Sequence, residues 1–193
     1  MFGSSLKVAI RFTLITTVLL GLIYPLIVTG FAQIALRNQA NGELITNDGK
    51  VIGSRLIGQN FASDKYFHSR ISAAGNGYDG TSSGGSNYAV SSQKLVTRIQ
   101  GDVEKVSKDN PSQPVPIDLV TASGSGLDPD ITPAAAFYQA HRIAVARKIT
   151  DDEVTKLVKY HNTPRQFGFL GEARVNVLEL NLALDELAKA PQD

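Results

Sequence analysis

Two short segments rich in glycine and serine carry the residue types that most resemble a binding site. A glycine-rich loop can present backbone N–H groups to an anion, especially where a helix follows it. An alternative interpretation is that both segments are tight turns in which glycine supplies positive φ angles. The candidate binding residues are Ser83, Gly84, Gly85, Ser86 and Asn87 in the first segment, and Ser123, Gly124, Ser125 and Gly126 in the second.

The motifs that would support catalysis by this chain are absent. The sequence has no G-x-x-x-x-G-K-[ST] phosphate loop and no G-x-S-x-G nucleophile elbow. It also lacks the Asp-Lys-Thr-Gly phosphorylation motif, and it contains no cysteine for a disulfide, a thiolate metal site or a nucleophile. His68, His141 and His161 are scattered, so we expect surface or capping roles for them. We therefore predict no catalytic residue, no metal site and no cofactor of the chain's own.

An uncharged run near the N-terminus predicts a transmembrane helix at residues 12–36. These 25 residues include 14 that are Leu, Ile, Val or Phe. As a helix they would extend about 37 Å, which exceeds the roughly 30 Å hydrocarbon core of a bilayer. The alternative is a cleaved signal peptide with Gly30-Phe31-Ala32 at the cleavage site, but its apolar region would usually be about 7–15 residues long.

The charges that flank this helix predict its orientation. Lys7 and Arg11 precede it, whereas Arg37 is followed by Glu43 and Asp48. By the positive-inside rule, residues 1–11 lie in the cytoplasm and residues 38–193 form a soluble extracytoplasmic domain. We therefore expect a single-pass protein of the bacterial cytoplasmic (inner) membrane.

Small or weakly polar residues recur every four positions within the helix, at Thr17, Gly21, Pro25 and Thr29. Such a stripe lets another helix approach closely in lipid, although these residues are also common in membrane spans. No ionisable residue lies within the helix. A single helix of this kind does not form an ion pathway, so any part in transport would be accessory.

The soluble domain is predicted to be α+β (or α/β), with short strands and about four helices. Asn47-Asp48-Gly49 predicts a hairpin within residues 43–57, and Ile117–Val120 and Arg174–Val175 are further strand candidates. Residues 62–87 and 122–130 are predicted loops. Helices are predicted from Ser91 or Ser92 to about Ser107, from a Thr132 cap with Pro133 to about Lys148, from the Thr150 capping box to about His161, and after an Asn176–Glu179 box.

Several long segments together resemble the KdpC family, the C subunits of the bacterial Kdp potassium-transporting P-type ATPase. The resemblance covers essentially the whole chain. Its most specific segment is Thr121–Arg147, which contains SGSGLDPDITPAAAFYQAHRIAVAR. The other matching segments are Gly21–Pro25, Gly53–Phe61, Tyr66–Arg70, Ser83–Asn87 and Arg174–Leu184. Two positions depart from the family pattern: Ile71 replaces a usual proline, and Tyr88-Ala89-Val90 replaces a common Leu-Gly-Pro.

The resemblance implies an accessory, non-catalytic subunit of an ATP-driven, high-affinity potassium uptake complex. Its implied partners are a potassium-conducting subunit, an ATP-hydrolysing P-type subunit and a small single-span subunit. The family is described as a catalytic chaperone that raises the ATP affinity of the hydrolysing subunit and supports assembly. ATP binding through the complex is thereby implied, and the glycine loops become candidate nucleotide-binding or docking loops. An extracytoplasmic domain does not meet cytoplasmic ATP, so either coupling passes through the helix and the conducting subunit or the orientation is wrong.

Two other classes of function remain open from the residues alone. One is a membrane-tethered extracytoplasmic hydrolase that uses a serine of a glycine loop, and the other is a tethered solute-binding module. The absence of a histidine or carboxylate at recognisable spacing disfavours the hydrolase. Nucleic acid is not an expected partner, because 19 basic residues balance 18 acidic ones and no basic block is present.

Overall fold

A computed structural model describes residues 2–47 and 49–188. Its contacts divide the chain into two compact units, one ending at Leu44 and the other beginning at Ile45. The first unit is helical, and the second mixes helices with short antiparallel strands. This confirms the predicted α+β class preceded by one apolar helix.

The N-terminal unit is dominated by a long apolar helix. Helix α1 (Phe2–Val18) continues through a π-helical turn (Leu19–Ile23) into α2 (Tyr24–Ala35). One stretch of the described residues, Gly3–Ala35, is long and apolar enough to cross a membrane. An 18-residue window within it has a mean hydropathy of 2.1, and none of that window is buried. The backbone leaves the helix at Leu36 and forms the short α3 (Arg37–Ala40). The boundaries proposed for the membrane segment and its flanks stay predictions.

A two-stranded sheet of β1 (Leu44–Asn47) and β2 (Lys50–Ser54) starts at the boundary and belongs, apart from Leu44, to the second unit. Gly49 lies between these strands at φ +74°, as a tight turn requires. Asp48 of the predicted turn lies outside the described residues. After a long irregular stretch comes α4 (Gln93–Val106), which has no fully buried residue. Ser92 precedes α4 in an extended conformation, but its side chain does not cap the helix.

The domain core lies between three helices and a three-stranded antiparallel sheet. The helices are α5 (Pro133–Arg147), α6 (Asp151–Tyr160) and α7 (Val177–Leu187). The sheet has the order β3 (Asp130–Ile131), β5 (Arg174–Asn176) and β4 (Asn162–Thr163). The largest fully buried apolar side chains are Tyr138, Phe67, Ile143, Leu180, Leu184, Val154, Val158, Val175 and Val177.

Side-chain caps explain where the core helices begin. The hydroxyl of Thr132 accepts from the N–H of Ala135, and Pro133 follows at the first helical position. Thr150 and Glu153 form the predicted reciprocal capping box. Asn176 accepts from the N–H of Glu179, but the Glu179 carboxylate instead pairs with Arg55 at 2.7 Å. Only half of that predicted box is therefore formed.

The predicted strand at Ile117–Val120 is wrong. Residues Ile117–Leu119 form a 3₁₀ turn, in which Ile117 is exposed and Leu119 is buried. The buried carboxylate of Asp118 accepts from the N–H and the hydroxyl of Thr132, at 2.7 and 3.1 Å. Because this bond draws the Asp118 side chain inward, the segment turns toward the start of α5 rather than extending as a strand.

Candidate functional site

The two glycine-serine segments, separated by about 40 residues in the sequence, lie against each other in the structure. The N–H of Gly84 donates to the carbonyl of Ser125 at 2.8 Å, and the hydroxyl of Ser83 donates to the same oxygen at 2.9 Å. The N–H of Ser123 donates to the carbonyl of Ile71, and that of Gly126 to the carbonyl of Ser123. Three of the backbone donors predicted to face an anion are therefore already bonded within the domain, and the Gly84 bond joins the two loops.

Close approach of the backbones explains glycine at two of these positions. Gly126 has φ +67°, and a Cβ there would lie 2.6 Å from both the nitrogen of Ala74 and the carbonyl oxygen of Gly84. A Cβ at Gly85 would lie 3.1 Å from the carbonyl oxygen of Gly124. By contrast, Gly124 has open space around it. The tight-turn interpretation thus accounts for Gly126 and close approach accounts for Gly85, whereas neither accounts for Gly84 or Gly124.

The remaining candidate residues differ in exposure. Ser123 is buried, Gly84 and Ser86 are half-buried, and Ser83, Asn87, Gly124 and Ser125 are exposed. Asn87 has φ +52°, a conformation that asparagine adopts more readily than most residues. The exposed part of the site is thus a polar ridge formed by the two loop tips.

Two arginines, Arg70 and Arg98, bind the backbone at the start of the second loop and just before it. The Arg70 guanidinium pairs with Asp128 at 3.0 Å and donates to the carbonyl of Ala122 at 3.5 Å. Arg98 of α4 pairs with Asp102 at 2.9 Å and donates to the carbonyl of Val120 at 3.5 Å. Sequence reasoning did not identify this role, although Arg70 ends a segment that carried the family resemblance.

The backbone of Phe67 and His68, which leads to Arg70, is held by two buried side-chain amides. The Asn181 side chain of α7 accepts from the N–H of Phe67 at 2.8 Å and donates to its carbonyl at 3.0 Å. The Gln139 side chain of α5 makes the same pair of bonds to His68, at 2.8 and 3.2 Å. Both amides are about 1% exposed, so the core fixes the backbone that leads into the site.

Burial shifts the pKa of two titratable groups beside this segment. Desolvation, followed by the charge of Arg142, lowers the pKa of His68 below its usual 6.5. Desolvation likewise raises the pKa of Tyr78, whose hydroxyl donates to the carbonyl of Arg70. Both groups are therefore neutral near pH 7, and Nε2 of His68 lies 3.2 Å from the carbonyl oxygen of Ser63, outside the glycine loops.

The chemistry available to the loop serines is limited. The hydroxyl of Ser83 donates to a carbonyl, and that of Ser125 accepts from the N–H of Leu127 at 3.1 Å. These hydroxyls bond to backbone groups, unlike a nucleophile paired with a side-chain base. A cavity beside His68, Ser69 and Ile71 has a volume of about 140 Å³, below the ~300 Å³ at which small-molecule pockets begin. Among residues 2–47 and 49–188, no cluster of His, Asp and Glu is arranged to hold a metal.

The second predicted site is the small-residue stripe of the apolar helix. A Cβ added at Gly21 would lie 4.0 Å from the Cγ2 of Thr17, so these two residues share one face. Next to Pro25 the helix widens into the π-helical turn, where the N–H of Tyr24 donates to the carbonyl of Leu19. This turn lets the helix continue past a residue that has no N–H to donate.

Comparison of the sequence with family models and with curated proteins identifies the family of the chain. The family model described as KdpC, K+-transporting ATPase, c chain, matches residues 6–186. The chain belongs to the KdpC family. Curated members include the potassium-transporting ATPase KdpC subunit of Koribacter versatilis, 50% identical over 97% of both chains. The KdpC subunit of Acidobacterium capsulatum is 56% identical over 94% of this chain and 98% of its own.

KdpC membership makes this chain an accessory subunit of a potassium-transporting ATPase complex, with one helix apolar and long enough to be its membrane span. The residues expected to depart from the KdpC pattern lie around the glycine loops. Ile71 contributes its carbonyl to the bond from Ser123, and proline also has that carbonyl. Tyr88-Ala89-Val90 is exposed, with Val90 93% accessible, so this departure changes the surface of the domain rather than its core.

Proposed function

We propose that this chain is a non-catalytic subunit that supports assembly of the potassium-transporting complex and raises the ATP affinity of the subunit that hydrolyses ATP. The observation that carries the proposal is the KdpC match over residues 6–186. The bonding of the loop serines to backbone groups supports a role without chemistry of its own. The proposed partners are the potassium-conducting, ATP-hydrolysing and small single-span subunits.

The domain is proposed to lie outside the cytoplasm. Lys7 and Arg11 precede the apolar helix, and positive charge favours the cytoplasmic side. A reporter fused after Asp193 that works only outside the cytoplasm should therefore be active. Activity from a cytoplasm-only reporter at the same position would overturn the orientation.

With this orientation, the influence on ATP passes between subunits rather than through ATP bound to this domain. The apolar helix contacts other helices in the membrane, and the domain contacts the outer face of a larger subunit. The complex is proposed to exchange between a state that binds ATP tightly and one that binds it weakly, and each contact stabilises the tight state. A subunit shifts such an equilibrium only by binding one state better than the other.

The glycine loops are proposed to shape a docking surface, with direct nucleotide binding as the competing role. The bonds that use the N–H groups of Gly84, Ser123 and Gly126 favour docking. Calorimetric titration of the full chain in detergent with ATP and magnesium should give no saturable heat. A micromolar one-to-one signal that is lost in Gly124→Val, a variant that fits without a clash, would establish nucleotide binding instead.

Co-purification tests the assembly role directly. The tagged chain, expressed with the other subunits and extracted in mild detergent, should bring down larger membrane proteins in fixed ratio. The proposal would be contradicted if the tagged chain were recovered without other subunits, and if cells that lack the chain still assembled the complex and transported potassium fully.

A further inference from the structure

The loop between β4 and β5 carries three large and exposed apolar side chains, and the strands that flank it are paired in the core sheet. Phe167 is 87% exposed, Phe169 70% and Leu170 47%. We refer to residues 164–173 as the aromatic hairpin. Burying such side chains removes a large apolar area from water, and aromatic residues are enriched among the anchors of protein interfaces.

The aromatic hairpin has a defined shape before it meets any partner. Gln166 and Leu170 exchange two backbone hydrogen bonds, each of 2.9 Å, and Gly168 donates to the carbonyl of Arg165 at 3.1 Å. An ion pair between Arg165 and Glu172 closes its base. The flanking strands pair through Thr163 and Arg174 in the core sheet. A preorganised loop loses little conformational entropy when it binds.

The stability of the free domain does not explain phenylalanine at the tip. Phe167 has φ +52°, a region that glycine or asparagine occupies at lower cost than a bulky residue. Its side chain gains almost no burial in return. Burial of the Phe167 side chain in a complex would explain why a strained and exposed position carries an aromatic residue.

The charges of the hairpin distinguish a protein partner from a lipid surface. Residues 166–171 carry no charge, and at the base Arg165 is balanced by Glu172. Segments that bind anionic lipid headgroups carry a surplus of Lys and Arg, and residues anchored at the membrane interface are typically Trp or Tyr. An uncharged tip of Phe-Gly-Phe-Leu above a neutral base matches an apolar pocket with a polar rim on a protein.

We propose that the aromatic hairpin inserts Phe167 and Phe169 into an apolar pocket on another subunit of the ATPase, on the side of the membrane where the domain lies. This rests on the proposed accessory role and locates its docking contact. The residues of the hairpin differ from those of the glycine loops and from those of the helix stripe.

Two hairpin substitutions and one control test this contact. Phe167→Asn keeps a residue suited to positive φ, and Phe169→Ala shortens the second side chain. Tyr160→Ala is the matched control, because Tyr160 is an aromatic residue of 85% exposure outside the hairpin. Each hairpin variant should weaken binding of the full chain to the remaining subunits by about 10-fold or more, as loss of an interface anchor does. Tyr160→Ala should change it less than 3-fold, within the range of a peripheral residue.

Thermal unfolding separates loss of docking from loss of folding. Phe169→Ala should melt within about 2 °C of the parent chain, since exposed substitutions change stability little, and Phe167→Asn should melt no lower than that because it relieves the strain at positive φ. If they bind the other subunits normally, the hairpin inference is wrong while the accessory role stands. If the parent chain itself does not bind those subunits, the accessory role is wrong.

A fluorescent label identifies the partner class. The chain contains no cysteine, so Gln166→Cys places a single dye beside the tip. Addition of the remaining subunits should shift the dye emission to the blue and shield it from iodide. In nanodiscs of brominated lipid without those subunits, the dye should remain unquenched. Strong quenching there would overturn the protein pocket in favour of a membrane surface.

Discussion

Helix α5 and the N-terminal apolar helix are both rich in apolar residues but differ in what covers them. In α5, Ala135, Ala136, Tyr138, Ile143 and Ala144 are at most 1% exposed, because α6, β5 and the 3₁₀ turn at Ile117–Leu119 pack against this helix. In the N-terminal helix none of the most apolar stretch is buried. The contacts of α5 therefore govern folding of the domain, whereas the N-terminal helix is proposed to contact lipid or other subunits. Substitutions in the two helices should separate stability from assembly.

The largest expected effect is on domain stability, from Ile143→Ala in α5. Ile143 is 0% exposed within the core, and truncating such a side chain costs about 2–5 kcal/mol through lost burial and the cavity left behind. Denaturant unfolding of the full chain in detergent, followed by tyrosine circular dichroism, measures this cost. Val145→Ala, at a position 66% exposed on the same helix, should change stability by about 0.5 kcal/mol or less. Equal losses in both variants would contradict the burial of α5.

A smaller loss of stability is expected from Asn181→Leu. This change keeps the side-chain size but leaves the N–H and carbonyl of Phe67 without their partners. Each unsatisfied buried group costs about 1–3 kcal/mol, part of which an apolar replacement recovers. The same unfolding assay should show a net loss of about 1–3 kcal/mol. No loss would mean that the amides do not hold the segment leading to Arg70.

Gly21→Leu in the N-terminal helix should leave domain unfolding unchanged and reduce recovery of the assembled complex. A leucine side chain prevents close approach of another helix at the stripe, and helix association in lipid depends on that approach. A loss of several-fold in co-purified subunits is expected. Gly30→Leu, the same change beside the stripe, also has open space and should have little effect. Equal recovery from both variants would remove the stripe as a packing face.

The smallest expected effect is a dependence of stability on pH. Because the folded-state pKa of His68 is below 6.5, the unfolded chain binds more protons as the pH falls through 6.5. The contribution of neutral His68 is fully present above pH 6.5 and is lost progressively below it. The unfolding free energy of the parent chain should therefore fall more steeply between pH 7 and pH 5 than that of His68→Gln. Parallel profiles would show that His68 is not desolvated.

The sequence predicted the parts of the fold that depend on local patterns. Thr132 with Pro133, and Thr150 with Glu153, mark helix starts because each cap involves residues only three positions apart. The strand predicted at Ile117–Val120 failed because a distant partner, Thr132, binds Asp118. The pairing of Ser83 with Ser125, and the support from Arg70, likewise join residues far apart in sequence. No local pattern encodes such contacts.

The aromatic hairpin went unnoticed in the sequence for a related reason. Residues 164–173 have neither the helical nor the alternating period of a buried element, and Phe167 and Phe169 resemble ordinary core residues until their exposure is known. A short apolar stretch between Pro164 and Gly171 was the available signal. This stretch can be interpreted as a docking surface only when the structure shows that the rings of Phe167 and Phe169 are exposed.

The central claim is that this chain acts on ATP use through contacts between subunits. The most direct measurement is the rate of ATP hydrolysis against ATP concentration, for the remaining subunits with and without the purified full chain. We expect no hydrolysis by the chain alone, and an apparent KM for ATP that falls when the chain is added. The Phe169→Ala variant should require a higher concentration to produce the same fall. Hydrolysis by the chain alone, or an unchanged KM in a complex that contains it, would contradict the account.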